Sequence, residues 1–223
     1  MIVEALVPLK LNSQRLPNKN LLPLGDKPLF SWIVEAIIDS EAVDGISLFS
    51  STRDFFDNLG YGDDRVSWVP RPKSLDGDET SITEVIRTFC LQSTAEIIVL
   101  AHATSPFIRP ATIQECVAAV ASGDFDSAFA AIKMQKFTWF HNQPVNYSLE
   151  GPLPRTQDLD PVFVEQSGLY VFGRQQFLDT NQRIGRKPKI VEVDSLESVD
   201  IDEPQDLELA EILVNRTLST PRS

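Results

Sequence analysis

The stretch Val3-Glu-Ala-Leu-Val-Pro-Leu-Lys-Leu-Asn-Ser-Gln-Arg-Leu-Pro-Asn-Lys-Asn20 decides how the rest of the chain is read. An apolar run, interrupted only by Glu4, stops at Pro8. A polar loop with three cations follows, Lys10, Arg15 and Lys19, and then Leu21-Leu-Pro-Leu-Gly-Asp-Lys-Pro-Leu29 leads into an amphipathic segment. A buried strand feeding a cationic loop is how open α/β sheets hold phosphate, because ligands sit beyond the carboxyl ends of the strands. Three fixed positive charges suit a triphosphate, whose charge must be neutralised before a nucleophile approaches. A solvated loop between strand and helix is the plainer reading of the same residues.

Outward from this loop the pattern alternates. Residues 28–40 read as a helix, with Leu29, Ile33 and Ile37 on one face and Trp32 and Ala36 beside it. Strands are expected at 46–50, 66–69, 96–101 and 127–132, and helices at 53–59, 82–92 and 110–122. The run Glu96-Ile-Ile-Val-Leu-Ala101 reads as a strand buried on both faces. Such alternation predicts a mostly parallel sheet covered by helices on both sides. The rhythm breaks at residues 134–167, where Trp139, Phe140, Pro144, Tyr147, Gly151 and Pro154 mark a turn-rich arm inserted into one domain spanning 1–223. A strand at 168–172 returns to the core; a helix at 173–181, a strand at 189–193 and a closing helix at 204–216 follow.

Composition narrows the partners. The 223 residues are 42% hydrophobic and 23% charged, with a net charge of −12. Such a chain has no general attraction for nucleic acid or an anionic membrane, so neither is expected as a partner. Any anionic substrate must be held by a local cationic site. No segment approaches transmembrane length, and the N-terminal run lacks the basic start and long apolar core of a secretory leader. Cys90 and Cys116 fall among apolar neighbours in helical segments and read as reduced core residues, which suggests a cytoplasmic protein. His102 and His141 are too scattered to suggest zinc. There is no Walker loop, dinucleotide-binding glycine motif or nucleophile elbow.

A second signal lies near the C-terminus, in Ser198-Val-Asp-Ile-Asp-Glu-Pro-Gln205. If this stretch is extended, Asp200 and Asp202 project to one side. Two carboxylates beside a phosphate site make a hard-oxygen pocket for Mg2+. The competing reading makes Asp202 the cap of the closing helix, with Pro204 in its first turn.

These segments together resemble the acylneuraminate cytidylyltransferases, the CMP-sugar synthetases. Ser13, Pro17, Lys19 and Asn20 match that family's opening signature, and Asn12 matches some members. Lys10 stands where the family usually has Arg, and Gln14 where it often has Lys. Lys is a point charge and cannot reproduce a bidentate Arg contact. The Ser198–Asp202 segment resembles the family's metal-binding Ser-x-Asp-Ile-Asp. Arg71-Pro-Lys-Ser-Leu-Asp-Gly-Asp-Glu-Thr-Ser81 resembles its cytosine loop, implying nucleotide contacts by Arg71, Asp78, Thr80 and Ser81, although Ser81 with Glu84 also reads as a helix capping box. In Leu100-Ala-His-Ala-Thr-Ser-Pro-Phe-Ile-Arg109, Thr104, Ser105, Pro106 and Arg109 are retained, while His102 replaces the usual Gln that faces the substrate. In the family the segment beginning at Arg155 approaches the acceptor sugar, partly from a neighbouring subunit. Arg155, Gln157, Glu165 and Gln166 are its candidates here, with Arg155 the natural counter-ion for a sugar acid.

The resemblance implies a Rossmann-like, mononucleotide-binding fold of the nucleotide-diphospho-sugar transferase type, with the 134–167 arm making a homodimer. It implies transfer of CMP from CTP to a 2-keto-3-deoxy sugar acid such as N-acetylneuraminate, with release of pyrophosphate. Lys10 and Lys19 would be catalytic with Asp200 and Asp202, the two aspartates holding Mg2+. Asn12, Ser13, Arg15 and Asn20 would bind the nucleotide, and His102, Thr104, Ser105, Arg155, Gln157 and Gln166 the acceptor. The alternatives are a related nucleotidyltransferase for another sugar or base, and a nucleotide-sugar-binding relative without turnover.

Overall fold

The computed structural model describes residues 1–11, 13–60 and 62–219, with side chains through 216. In chain order the strands are β1 (Val3–Pro8), β2 (Pro23–Leu24), β3 (Lys27–Pro28), β4 (Gly45–Ser50), β5 (Val66–Pro70), β6 (Ile97–Ala101), β7 (Ser127–Met134), β8 (Trp139–Phe140), β9 (Gln143–Pro144), β10 (Val162–Gly173) and β11 (Pro188–Val193). The helices are α1 (Leu29–Ser40), α2 (Asp54–Asp57), α3 (Ile82–Gln92), α4 (Pro110–Ala121), α5 (Arg174–Thr180) and α6 (Pro204–Ser219).

Seven strands form one sheet in the order β11-β7-β10-β6-β1-β4-β5. β6, β1, β4 and β5 pair in parallel, as do β7 and β11. Every residue of β6 is buried, which is why its sequence is continuously apolar rather than alternating. Phe30, Ile33 and Ile37 press α1 onto one face of the sheet, together with Ile113 and Val117 of α4, while Leu29 packs with Leu24, Ile201 and Val214 against α6. Val85, Ile86 and Phe89 of α3, with Phe177 of α5, cover the other. Helix α3 opens on the expected capping box: the Ser81 hydroxyl accepts from Glu84 N, and the Glu84 carboxylate accepts from Ser81 N.

Two elements differ from the sequence reading. The strand expected at 168–172 begins at Val162 and runs antiparallel between β6 and β7, with a register irregularity between Glu165 and Tyr170. The reason is topological. β7 and β10 are joined at the carboxyl end of β7 by the 135–161 segment, so β10 returns in the opposite direction. Within that segment β8 and β9 make a two-stranded hairpin. The second difference is that Asp202 does not cap α6. The carboxylate of Asp206 reaches back instead and accepts from the N–H groups of Asp202 and Glu203.

The sheet also sets where a ligand can bind. From β1 the chain moves outward to β4 and β5, and from β5 it crosses back over α3 to β6 on the other side of β1. The carboxyl ends of β1 and β6 therefore flank a topological switch point, where a crevice opens.

Candidate active site

Three loops meet at this crevice: residues 9–22 after β1, 71–81 after β5 and 102–109 after β6. They enclose a cavity of about 230 Å³. Lys10, Ser13, Lys19, Asn20, Arg71, Thr80, His102 and Thr104 all line it. Eight of the residues singled out from sequence thus converge on one space from three separate parts of the chain. The apolar wall comes from Leu75, Ile82 and Val85. The last two were legible only as helix residues; their spacing of three at the start of α3 turns both toward the crevice.

Each cation is held by a carboxylate. Lys19 is nearly buried, and its Nζ donates to Asp202 Oδ1 at 2.9 Å. Arg15, exposed, donates to Asp202 Oδ2 at 2.7 Å. Partial burial pushes the Asp202 carboxyl upward, but the hydrogen bond and charge of Lys19 and the charge of Arg15 outweigh it and hold the pKa below the usual range. Lys10 donates to Asp78 at 3.3 Å, and Gln14 donates to the other oxygen of Asp78 at 2.6 Å. The Gln14 bond first, and Lys10 second, lower the Asp78 pKa. Gln14, at a position where a cation is usual in the resembling family, therefore ties the first loop to the second. Asn20 fixes the loop from within by donating to the Lys10 carbonyl. Arg71 is buried, donates to Asp76, and leaves Nε covered without a partner.

Asp200 sits in the segment before α6. Ile201 N donates to the Thr104 carbonyl at 2.8 Å, which pins this segment to the loop after β6. The Ser167 hydroxyl donates to Asp200 Oδ2 at 2.9 Å, while Asp200 Oδ1 is covered and has no partner among the described residues. An orphaned buried carboxylate oxygen, two residues from a second carboxylate, is a donor of the kind a divalent cation takes. No cluster of three or more metal-ligating side chains occurs among the described residues, and Mg2+ commonly takes only one or two carboxylates, with substrate phosphates and water completing the shell.

The loop after β6 carries His102. Its backbone N–H donates to the Gly168 carbonyl, the residue is half-buried and lines the cavity, and Nε2 is covered and unpartnered. Burial, then the charges of Arg183 and Lys19, push its pKa down to about 4. The imidazole is thus neutral near pH 7 and a weak base.

Other expected residues lie elsewhere. Ser81 is taken up by the capping box. Ser105 and Gln166 are buried and bonded to each other at 3.0 Å. Arg155 is exposed on the arm, with Nε and an Nη both on Asp158. Gln157 lies on the same exposed turn. Asn12 lies outside the described residues. Arg183, which acts on His102 from the loop before β11, belongs to no motif and was not legible in the sequence.

A family model described as Cytidylyltransferase matches residues 4–218. This chain belongs to the cytidylyltransferase family. It is 26% identical over 227 residues to N-acylneuraminate cytidylyltransferase A of Danio rerio, covering 96% of this chain and 51% of that protein. It is also 26% identical over 227 residues to CMP-N,N'-diacetyllegionaminic acid synthase of Legionella pneumophila, covering 96% and 97%. The chain thus spans about half the length of the first of these relatives and nearly all of the second. In fold it resembles CMP:2-keto-3-deoxy-manno-octonic acid synthetase complexed with CTP, with a TM-score of 0.70, 16% identity, and coverage of 97% and 100%. It also resembles a 4-diphosphocytidyl-2C-methyl-D-erythritol synthase from Anaerococcus prevotii, with a TM-score of 0.68 and 13% identity over 96% of each chain. The nucleotidyltransferase fold expected from the sequence is the one observed.

Proposed function

We propose that this chain transfers a cytidylyl group from CTP to the anomeric hydroxyl of a 2-keto-3-deoxy sugar acid. The hydroxyl oxygen bonds to the α-phosphorus, the bond to the β-phosphate oxygen breaks, and pyrophosphate leaves. The observation that carries this reading is the convergence of Lys10, Lys19 and Arg71 with Thr80 and His102 on one cavity at the switch point, in a chain of the cytidylyltransferase family. The names of the N-acylneuraminate and diacetyllegionaminic acid relatives support a nonulosonic acid as acceptor.

Lys19 and Lys10 would neutralise the phosphates and orient them for attack, the usual way phosphoryl transfer is catalysed. Arg71, held by Asp76 within the loop after β5, would hydrogen-bond the base. Neutral His102 would position the acceptor hydroxyl rather than remove its proton. Asp200 and Asp202 would hold Mg2+, which supplies charge neutralisation on the departing pyrophosphate when bound. The arm at 134–167 would join two copies; its exposed Trp139, Phe140, Val145, Leu149 and Leu153 support this. Both cysteines are buried and unpaired, in keeping with a reducing compartment such as the cytoplasm.

The test is pyrophosphate release with CTP, Mg2+ and a panel of sialic, legionaminic, pseudaminic and octulosonic acids, with Asp200→Asn as the control. Release with one acid, lost in the variant, is expected. CTP binding without release from any acid would instead favour a relative without turnover. Sedimentation of Trp139→Ala tests the arm, and an unchanged mass would remove it from the dimer interface.

A further inference from the structure

Arg183 sits in the loop between α5 and β11, and two neighbours fix its guanidinium. One Nη donates to Glu165 Oε1 at 3.0 Å. Its Cζ lies 3.9 Å from the centroid of the Tyr170 ring. The Tyr170 hydroxyl donates to the same Glu165 oxygen, so carboxylate, phenol and guanidinium form one braced unit. Burial, then that hydrogen bond, push the Tyr170 pKa upward, which keeps the phenol protonated and donating. Glu165 takes one edge of the guanidinium and Tyr170 one face. The Arg183 side chain is 30% exposed. An arginine held in place by a carboxylate and a ring, and still partly exposed, is pre-organised to pair with an anion.

Its position gives that guanidinium a use. The His102 backbone N–H donates to the carbonyl of Gly168, two residues before the Tyr170 ring on which Arg183 lies, and both Arg183 and Lys19 act electrostatically on His102. Lys19 faces the cavity assigned to phosphate. Arg183 borders a second cavity of about 250 Å³ with Thr83, Asn181 and Gln182, and Ile82 walls both spaces. A molecule reaching from His102 into this second space would have Arg183 and the polar side chains of Thr83, Asn181 and Gln182 beside it. Arg155, by contrast, gives two of its donors to Asp158.

We propose that Arg183, braced by Glu165 and Tyr170, is the specificity-determining residue that binds the carboxylate of the acceptor, with the hydroxylated tail of the acid directed into the cavity of Thr83, Asn181 and Gln182. This rests on the transfer reading above and deepens it by making the acceptor's acid group a requirement.

The experiment compares an acid with its own methyl ester. Whichever of N-acetylneuraminate, diacetyllegionaminate, pseudaminate or octulosonate supports pyrophosphate release is assayed with CTP and Mg2+ as free acid and as ester, in the wild type, Arg183→Gln and Arg183→Lys. In the wild type the acid is expected to exceed the ester in kcat/KM by about tenfold or more, the worth of one charge-assisted pair. In Arg183→Gln that ratio falls toward one, with the KM for CTP within about twofold of the wild type; Arg183→Lys recovers the ratio only in part, since a point charge cannot replace the fork. A merely structural role would weaken acid and ester alike and leave the ratio unchanged, overturning the inference. If Arg183→Gln fails to fold, the ratio in Arg183→Lys decides: an undiminished one overturns the proposal. Release with an acid but no change of ratio sinks this inference alone, whereas no release with any acid removes the transfer reading and this inference with it.

Discussion

Asp202 is the carboxylate that pairs with both Lys19 and Arg15, and Asp202→Asn separates its two roles. It pairs with Lys19 and Arg15 at 2.9 and 2.7 Å. Lys19 has a side-chain exposure of 11%, so removing its partner resembles breaking a buried pair, which costs about 3–5 kcal/mol. Asp202 is itself 40% exposed, and exposed pairs are worth roughly 0–1 kcal/mol. Discounting for that screening leaves about 1–2 kcal/mol, or a fall in Tm of roughly 2–8 °C for a domain of this size. The effect on nucleotide should have the opposite sign. Without Mg2+, a phosphate chain must displace Asp202 from both cations; in the variant it need not. Releasing about 1 kcal/mol of pairing tightens CTP binding by about fivefold. Turnover with Mg2+ and acceptor should fall by about a hundredfold or more if the same carboxylate holds the metal. Thermal unfolding, calorimetry with CTP in EDTA, and pyrophosphate release read the three effects. CTP binding that weakens in EDTA would refute the competition argument, whatever happens to turnover.

Three further outcomes follow from the geometry. His102 should titrate by NMR with a midpoint near 4 rather than its ordinary 6.5. Because its folded pKa lies below the unfolded one, its contribution leaves stability full above about pH 6.5 and lowers it as pH drops toward about 4; a midpoint near 6.5 would show the ring to be solvated. Gly168→Ala would place a Cβ 2.3 Å from both Cβ and Oγ of Ser105, so β10 and the loop after β6 must separate. That overpacking should cost about 1–3 kcal/mol in denaturant unfolding, and an unchanged midpoint would mean the two segments part freely. Ser81→Ala removes the capping box and should cost about 1 kcal/mol while leaving the CTP Kd unchanged; a weakened Kd would return Ser81 to the nucleotide site.

What the sequence made legible is local. The continuous apolar run of β6, the three-and-four spacing of α1 and the Ser81–Glu84 pair each report a chain's own periodicity or cap, and each element formed where that signal lay. The direction of β10 carries no such signal, because alternation of side chains is the same in parallel and antiparallel strands. Direction was set instead by the short excursion through β8 and β9. The site divides in the same way. Lys10, Lys19, Asn20 and Arg71 stood in loops next to strand ends, where a fold rule assigns ligands. Arg183 stands in a loop without motif, 13 positions beyond Tyr170 in a sequence that gives no reason to connect them. Only the packing of the α5–β11 loop over β10 brings its guanidinium onto that ring.

The pairing of cations also answers how a chain of net charge −12 can present a phosphate site at all. Long-range fields from the rest of the surface repel an anion, so attraction must come from charges close enough to escape screening, within about 8 Å at physiological salt. A cluster of bare cations would repel itself and open the loop after β1. Carboxylates from far along the chain prevent this: Asp78 holds Lys10, Asp202 holds Lys19 and Arg15, and Glu165 holds Arg183. Three of the four pairs keep at least one partner more than 40% exposed, and the fourth, on Asp202, leaves its carboxylate at 40%. Such pairs are worth little individually, so a polyanion can replace a carboxylate at small cost. The acidic partners therefore hold the cations in position without neutralising them permanently, and the geometry needed for phosphate exists before phosphate arrives.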